Sequence, residues 1–151
     1  MAENKNNKLL IVATWTNKMA SYQIYKSGIG SVGSYQIAGV PYITGSAGLA
    51  IGAEDKISFP KVARAVTVVS NDDEDIRVHF NSTSSGNVVS GIHYILLDSK
   101  EDSVTLNNRC TEIYISAPGT NGGVAKYTVI AELTGIETSE MAALTGSGLT
   151  E

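Results

Sequence analysis

Apolar and polar residues alternate along the second half of this chain, in short runs that end at turn-forming residues. In one such run Ile76, Val78 and Phe80 share one parity, while Arg77 and His79 share the other. Successive side chains of a β-strand point to opposite faces, so this alternation predicts a strand with one buried face.

Six runs of this kind are separated by clusters of Asn, Asp, Gly, Ser and Pro, which favour turns. The predicted strands are Val62–Ser70, Asp75–Phe80, Gly91–Leu97, Ser103–Leu106, Glu112–Ser116 and Ala125–Leu133. Several short strands at this spacing predict an all-β fold, an antiparallel β-sandwich of jelly-roll-like or immunoglobulin-like type.

Parity within each predicted strand also selects the residues of the core, because a shift of one position would turn every apolar side chain outward. The predicted core residues are Val66, Val68, Ile76, Val78, Phe80, Tyr94, Leu96, Ile113, Ile115, Tyr127, Val129 and Leu133.

The chain divides into three unequal parts. Residues 1–52 are rich in Gly, Ser and Tyr, and their weak periodicity predicts an N-terminal arm or extension that does not fold independently. We expect this arm to order against the sandwich or against another subunit. The sandwich is assigned to residues 53–136, and residues 137–151 form a short tail in which Thr138–Leu144 is the best helix candidate, with at most two turns.

The charge and hydropathy of the chain bear on nucleic-acid binding, membrane insertion and export. The net charge is −4 and the pI is about 5.1, so the basic surface that nucleic acid requires is not expected. No segment approaches the roughly 20 apolar residues that span a bilayer. The apolar run Leu9–Ala13 is too short for a signal peptide, and we therefore expect synthesis in a cytoplasm without export.

The residues that carry chemistry do not form a recognisable catalytic or metal-binding motif. Cys110 is the only cysteine, which predicts a small buried residue at the start of a strand. His79 and His93 have no partner at metal-ligand spacing, and His79 is predicted at a surface or interface. The glycines of Gly28–Gly33 match a dinucleotide fingerprint only superficially, because no helix-forming segment follows. We therefore expect no enzymatic activity, no cofactor and no bound metal.

Several strand segments resemble small virion structural proteins of tailed bacteriophages. The similar segments are Ser58–Val62, Val66–Val69, Ile76–Phe80, His93–Leu97, Cys110–Ser116, Ala131–Ile136 and Leu144–Leu149. The resemblance runs from about Met19 to the C-terminus, and Met19 looks like a natural start, which makes residues 1–18 an extension. Such proteins usually decorate and cement the head, or belong to the neck or tail, so the resemblance implies a location on the virion after assembly in the host cytoplasm.

The first functional hypothesis is capsid decoration by a homo-oligomer, with a trimer favoured, that binds the major capsid protein or other virion proteins. Tyr offers a large amphipathic contact area, and Gly lets the backbone follow another surface. The candidate interface residues are Tyr22, Tyr25, Tyr35, Tyr42, Arg77 and His79. The alternatives are a neck or tail-fibre component, including a receptor- or glycan-binding module, and more remotely a small β-fold enzyme.

Overall fold

The computed structural model describes residues 28–29 and 39–151, and β-strands dominate this part of the chain. It contains seven strands and one short 3₁₀ helix. The strands are β1 Val40–Leu49, β2 Glu54–Ser70, β3 Ile76–His79, β4 Ile95–Leu97, β5 Ser103–Leu106, β6 Cys110–Ser116 and β7 Ala125–Leu133, and the 3₁₀ helix is Thr138–Glu140.

The long strand β2 belongs to both layers of the fold. Its first half pairs with β6 from Glu54 to Ser58, and its second half pairs with β7 on one side and β5 on the other. The register shifts between Ser58 and Ala63, around Pro60, whose missing N–H interrupts a ladder. All seven strands belong to one hydrogen-bonded sheet with the order β1-β7-β2-β6-β3-β4, in which β5 also pairs with β2 and every pair is antiparallel. The bend of β2 divides this sheet into one layer with the order β1-β7-β2-β5 and another with the order β2-β6-β3-β4. A strand that bends from one sheet into the next is how such layers are joined, and the predicted antiparallel sandwich is confirmed.

The core lies between the two layers and agrees with most of the parity assignments. Nine predicted core residues are buried, namely Val66, Val68, Ile76, Val78, Ile113, Ile115, Tyr127, Val129 and Leu133. Phe80 is partly buried against the core, and Tyr94 is half-buried.

Leu96 is the exception, and its assignment to the core is wrong. Its side chain is 46% exposed, whereas that of Leu97 is 5% exposed. Leu97 pairs with the buried Ile76, and Leu96 pairs with Arg77 on the outer face. The inward- and outward-facing positions of β4 are therefore shifted by one residue from the prediction. Ile95, Leu96 and Leu97 are all apolar, so alternation cannot show which of them faces the core.

Strand β1 lies within the segment predicted as an arm. It pairs with β7 from Val40 to Leu49, so these residues form the end of one layer. A Cβ at Gly45 would lie 2.4 Å from the carbonyl oxygen of Tyr127, so only glycine permits this close approach of the two strands. Residues 1–27 and 30–38 of the arm lie outside the described residues, and its inability to fold alone stays a prediction.

The C-terminal tail packs on the segment that joins β3 to β4. Within the helix candidate Thr138–Leu144, for which at most two turns were expected, only Thr138–Glu140 is helical, as a 3₁₀ turn. The Asn81 side-chain amide donates to the Leu144 carbonyl at 2.7 Å, and the Asn87 N–H donates to the Thr150 carbonyl at 3.0 Å. The tail thus helps to fix residues 81–94, which include Ile92, one of two non-glycine residues with positive φ in the described part of the chain.

Candidate interaction surface

A hydrogen-bonded turn at residues 88–93 leads into β4. The side chain of Val88 is fully buried and anchors the turn. The Ile92 N–H donates to Val89 O at 3.1 Å, and the His93 N–H donates to Val88 O at 2.9 Å. This pair of bonds, one nested in the other, is the arrangement that closes the C-terminus of a helix, and its second-last residue adopts a left-handed conformation.

Ile92 occupies that left-handed position, with a φ of 58°. Glycine is the usual residue there, and a β-branched side chain is a steric outlier at positive φ. Ile92 is 70% exposed, so burial within the chain does not compensate for the strain. Strained backbone of this kind clusters at functional sites. The apolar side chain of Ile92 is therefore exposed to solvent, and its backbone adopts a conformation that is sterically unfavourable for isoleucine.

Other exposed apolar side chains lie close to Ile92 in the chain. Val89 is 37% exposed, Ile95 39% and Leu96 46%. We refer to Val89, Ile92, Ile95 and Leu96 as the 89–96 surface. Ile95 and Leu96 are consecutive in β4 and point to opposite faces of the sheet, so this surface lies on both sides of the β4 edge rather than on one face. Strand β4 pairs only with β3 among the described residues, so its other edge carries main-chain groups that a further strand can bond. Exposed apolar groups beside such an edge are typical of protein interaction sites.

Two buried polar atoms next to this surface have no hydrogen-bond partner among the described residues, namely Arg77 Nε and His93 Nδ1. Arg77 pairs in register with Leu96, and its guanidinium lies 4.9 Å from the ring centre of Tyr94. Buried polar groups are nearly always hydrogen-bonded, so each exception requires an explanation. Among the described residues, the hydrogen bonding of this region is therefore incomplete.

His79 lies behind the surface, and its predicted position at a surface or interface is wrong. Its side chain is 2% exposed, because Asn81 and Thr83 fold back over this face of the sheet. His79 Nδ1 lies 2.6 Å from Asn81 O, and Nε2 lies 2.9 Å from Ser116 Oγ. The ring stacks on Tyr114 with centroids 6.0 Å apart. Burial lowers the pKa of His79, since it disfavours the charged ring.

The Ser116–His79 pair has the contact distance of a nucleophile and its base, but not the accessibility. Ser116 is 4% exposed, and the partner of His79 Nδ1 is a main-chain carbonyl. A nucleophile acts only where a substrate reaches it. In this conformation the pair connects β3, β6 and the following loop, and serves as a polar tie.

The sequence-predicted interface residues are thus separated by the structure. Arg77 lies beside the 89–96 surface. Tyr42 is half-buried and packs edge-on against Phe59, with ring centroids 5.7 Å apart, at the core side of β1. Tyr22, Tyr25 and Tyr35 lie outside the described residues.

The apolar residues of the surface were missed by sequence reasoning. Val89 precedes the predicted strand Gly91–Leu97 and was assigned to no element, and Ile92 and Ile95 were predicted as residues of that strand. The only signal in the sequence is the order Gly91-Ile92. A glycine is present, but it lies one position before Ile92, where the positive φ favours glycine.

The remaining chemistry of the described residues is limited. Burial raises the pKa of the Cys110 thiol to about 12, so it stays protonated and unreactive. Within these residues no group of three His, Cys, Asp or Glu side chains could hold a metal ion. No helix in the same part of the chain has the length and apolar character needed to cross a membrane.

Comparison with known proteins leaves the site to be interpreted from its own geometry. No family model matches this chain, and neither the curated proteins nor the solved structures gave a match to it.

Proposed function

We propose that this protein is a non-enzymatic structural protein of a phage particle, and that it decorates the capsid by docking its 89–96 surface on the major capsid protein. The observation that carries the docking role is Ile92, a β-branched residue at a φ of 58° whose side chain is 70% exposed. The sequence resemblance to virion structural proteins supplies the biological setting.

The composition of the surface fits a contact between proteins. Residues 88–97 include no carboxylate, Lys or Arg, so docking requires little desolvation of charge. Full burial of one aliphatic side chain of this size contributes about 1.5–3 kcal/mol. Four such side chains are a modest contact, and many copies on one particle would raise the effective affinity.

The neighbouring polar groups indicate what the partner presents. The donor Arg77 Nε lacks an acceptor beside Leu96, and the edge of β4 offers unpaired main-chain groups. A partner segment in extended conformation satisfies both the apolar side chains and the strand edge, as in β-strand addition.

The test is an add-back experiment on particles that lack this protein. Asn tolerates the left-handed region, so Ile92→Asn keeps the turn while removing the apolar contact. The matched control is Ile43→Asn, because Ile43 on β1 is 68% exposed and lies far along the sheet from β4. We expect Ile92→Asn to weaken particle binding by about tenfold or more, and Ile43→Asn to bind like the wild type.

Equal decoration by the Ile92→Asn variant would exclude docking through the 89–96 surface. Electron microscopy of native particles tests the location separately. Density on the capsid lattice supports decoration, and density confined to the neck or tail rejects it while leaving the docking surface to be assigned there.

A further inference from the structure

The carboxylate of Glu54 lies between two groups that compete for it. Its Oε2 accepts a hydrogen bond from the Thr83 N–H at 2.6 Å, and the same atom lies 4.0 Å from His79 Nε2. Thr83 is at the start of the 81–94 segment, which presents the 89–96 surface. The bond from Thr83 therefore fastens this segment to β2.

The hydrogen bonds of His79 select the tautomer of its neutral ring. Asn81 O can only accept, so Nδ1 carries the hydrogen, and the neutral Nε2 accepts from the Ser116 hydroxyl. Burial lowers the pKa of His79, and the charge of Arg77 lowers it further, against the opposing effects of Asn81 O and Glu54. The pKa of Glu54 is also lowered, because bonds from Thr83 and Ser82 and the charge of His79 outweigh its burial.

Protonation changes what Nε2 needs. Protonated Nε2 can no longer accept from Ser116 and becomes a donor. The Ser116 hydroxyl can rotate to accept this bond, but a nearby carboxylate forms a stronger, charge-assisted bond with the imidazolium. On β2 the facing charges are Glu54 and Lys56, on β3 Arg77, and on β6 Glu112 beside Tyr114. Lys56 and Glu112 are paired at 2.7 Å, and residues 81–94 carry no ionisable side chain other than His93 and Tyr94. Glu54 is therefore the carboxylate within reach.

We propose that uptake of a proton by His79 draws Glu54 away from Thr83 to the imidazolium and releases the 81–94 segment, so that the 89–96 surface is ordered at neutral pH and loosened in acid. The consequence for docking rests on the proposed function, whereas the release itself concerns the isolated protein.

The release is measured on the full chain with a fluorophore on Ser90→Cys. Ser90 is exposed, and the native Cys110 is buried with a pKa raised to about 12, so only position 90 is labelled. We expect probe anisotropy to fall between about pH 7.5 and about pH 5, with a midpoint below the ordinary His value of about 6.5. His79→Gln abolishes this transition, and His93→Gln, the matched control, keeps it.

A flat anisotropy profile in the wild type, or an unchanged transition in His79→Gln, overturns the proposal. If His79→Gln does not fold, Glu54→Gln replaces it. Gln keeps an acceptor for Thr83 without the charge, so the midpoint moves to lower pH or the transition disappears, and an unchanged midpoint contradicts the proposed exchange.

The docking proposal and the pH-switch proposal can be rejected independently of each other. A normal anisotropy transition together with full particle binding by Ile92→Asn rejects the docking role and keeps the switch. Loss of binding in Ile92→Asn with a pH-independent probe rejects the switch and keeps the docking role.

Discussion

At the scale of single residues, Ile92 adopts a backbone conformation that is unfavourable for its residue type, whereas Gly45 lies where the packing requires glycine. Ile92 takes a backbone conformation that glycine prefers, while Gly45 lies where any side chain would collide with Tyr127 O. Gly45 is constrained by Tyr127, which is distant in the sequence, whereas the Ile92 side chain contacts mainly solvent. Substitution at these sites separates strain from packing.

Replacing Ile92 by Gly is expected to stabilise the isolated protein. Left-handed strain at a non-glycine residue costs about 1–3 kcal/mol, and glycine recovers most of this at a smaller entropic cost, for a net gain of about 1 kcal/mol. Chemical denaturation measures the change. Ile43→Gly in strand β1, where φ is not positive, should instead lower stability, and a loss of stability in Ile92→Gly would show that its side chain packs in a way that outweighs the strain.

The register of β4 is tested by two adjacent leucines. Leu97→Ala should cost about 2–5 kcal/mol because Leu97 is 5% exposed and packs in the core, whereas Leu96→Ala should stay within about 0.5 kcal/mol. Unfolding in urea compares the two. Equal losses would mean that both leucines are packed and that the observed parity of β4 is not maintained in solution.

At the scale of elements, β1 and the bend of β2 show how far alternation predicts the fold. The bounds of β5 and β7 match the sequence prediction, since these strands alternate cleanly between turn-forming residues. Strand β1 was not predicted, because its Gly, Ser and Ala residues have weak strand propensity and its pairing with β7 supplies the order. The sequence prediction began this strand at Val62 and missed its first half, which lies before the register shift around Pro60.

The pairing of β1 with β7 depends on one glycine. A Cβ on Gly45 would lie 2.4 Å from Tyr127 O, so Gly45→Ala must push the strands apart, with a loss of about 1 kcal/mol or more. Hydrogen exchange should increase along β1 in this variant. Gly48→Ala is the matched control, because nothing lies within 4 Å of its added Cβ, and faster exchange in both variants would point to strand propensity rather than to collision.

At the scale of the whole molecule, β1 completes one layer, and two truncations test its contribution. A chain that begins at residue 39 retains β1, and one that begins at residue 53 exposes the edge of β7. We expect the shorter chain to unfold at a lower temperature, since apolar area on β7 loses its cover. Equal melting temperatures would place β1 outside the cooperative unit.

Stability of the whole molecule should also fall in acid in two steps. The lowered pKa of His79 means that the unfolded chain takes up the proton first, so its contribution is complete above the ordinary His pKa of about 6.5 and is lost as the pH falls below it. The lowered pKa of Glu54 gives a second loss, which begins as the pH falls below the ordinary Glu value of 4.5 and is complete below the folded pKa of this carboxyl. Urea denaturation at a series of pH values measures both steps. His79→Gln should remove the upper step and leave the lower one, and an unchanged upper step would assign it to another group.

The sequence by itself determined the strands that alternate cleanly and the parity of their side chains, and therefore the sandwich and most of its core. Alternation is a local property, because each strand residue faces opposite to the next whatever lies around it. Only the tertiary structure decided that residues 81–94 cover His79, that Leu97 rather than Leu96 turns inward, and that Ile92 stays in solvent. These outcomes depend on contacts between distant segments, such as Glu54 with Thr83 and Asn81 with Leu144. No window of neighbouring residues contains both partners of such a contact.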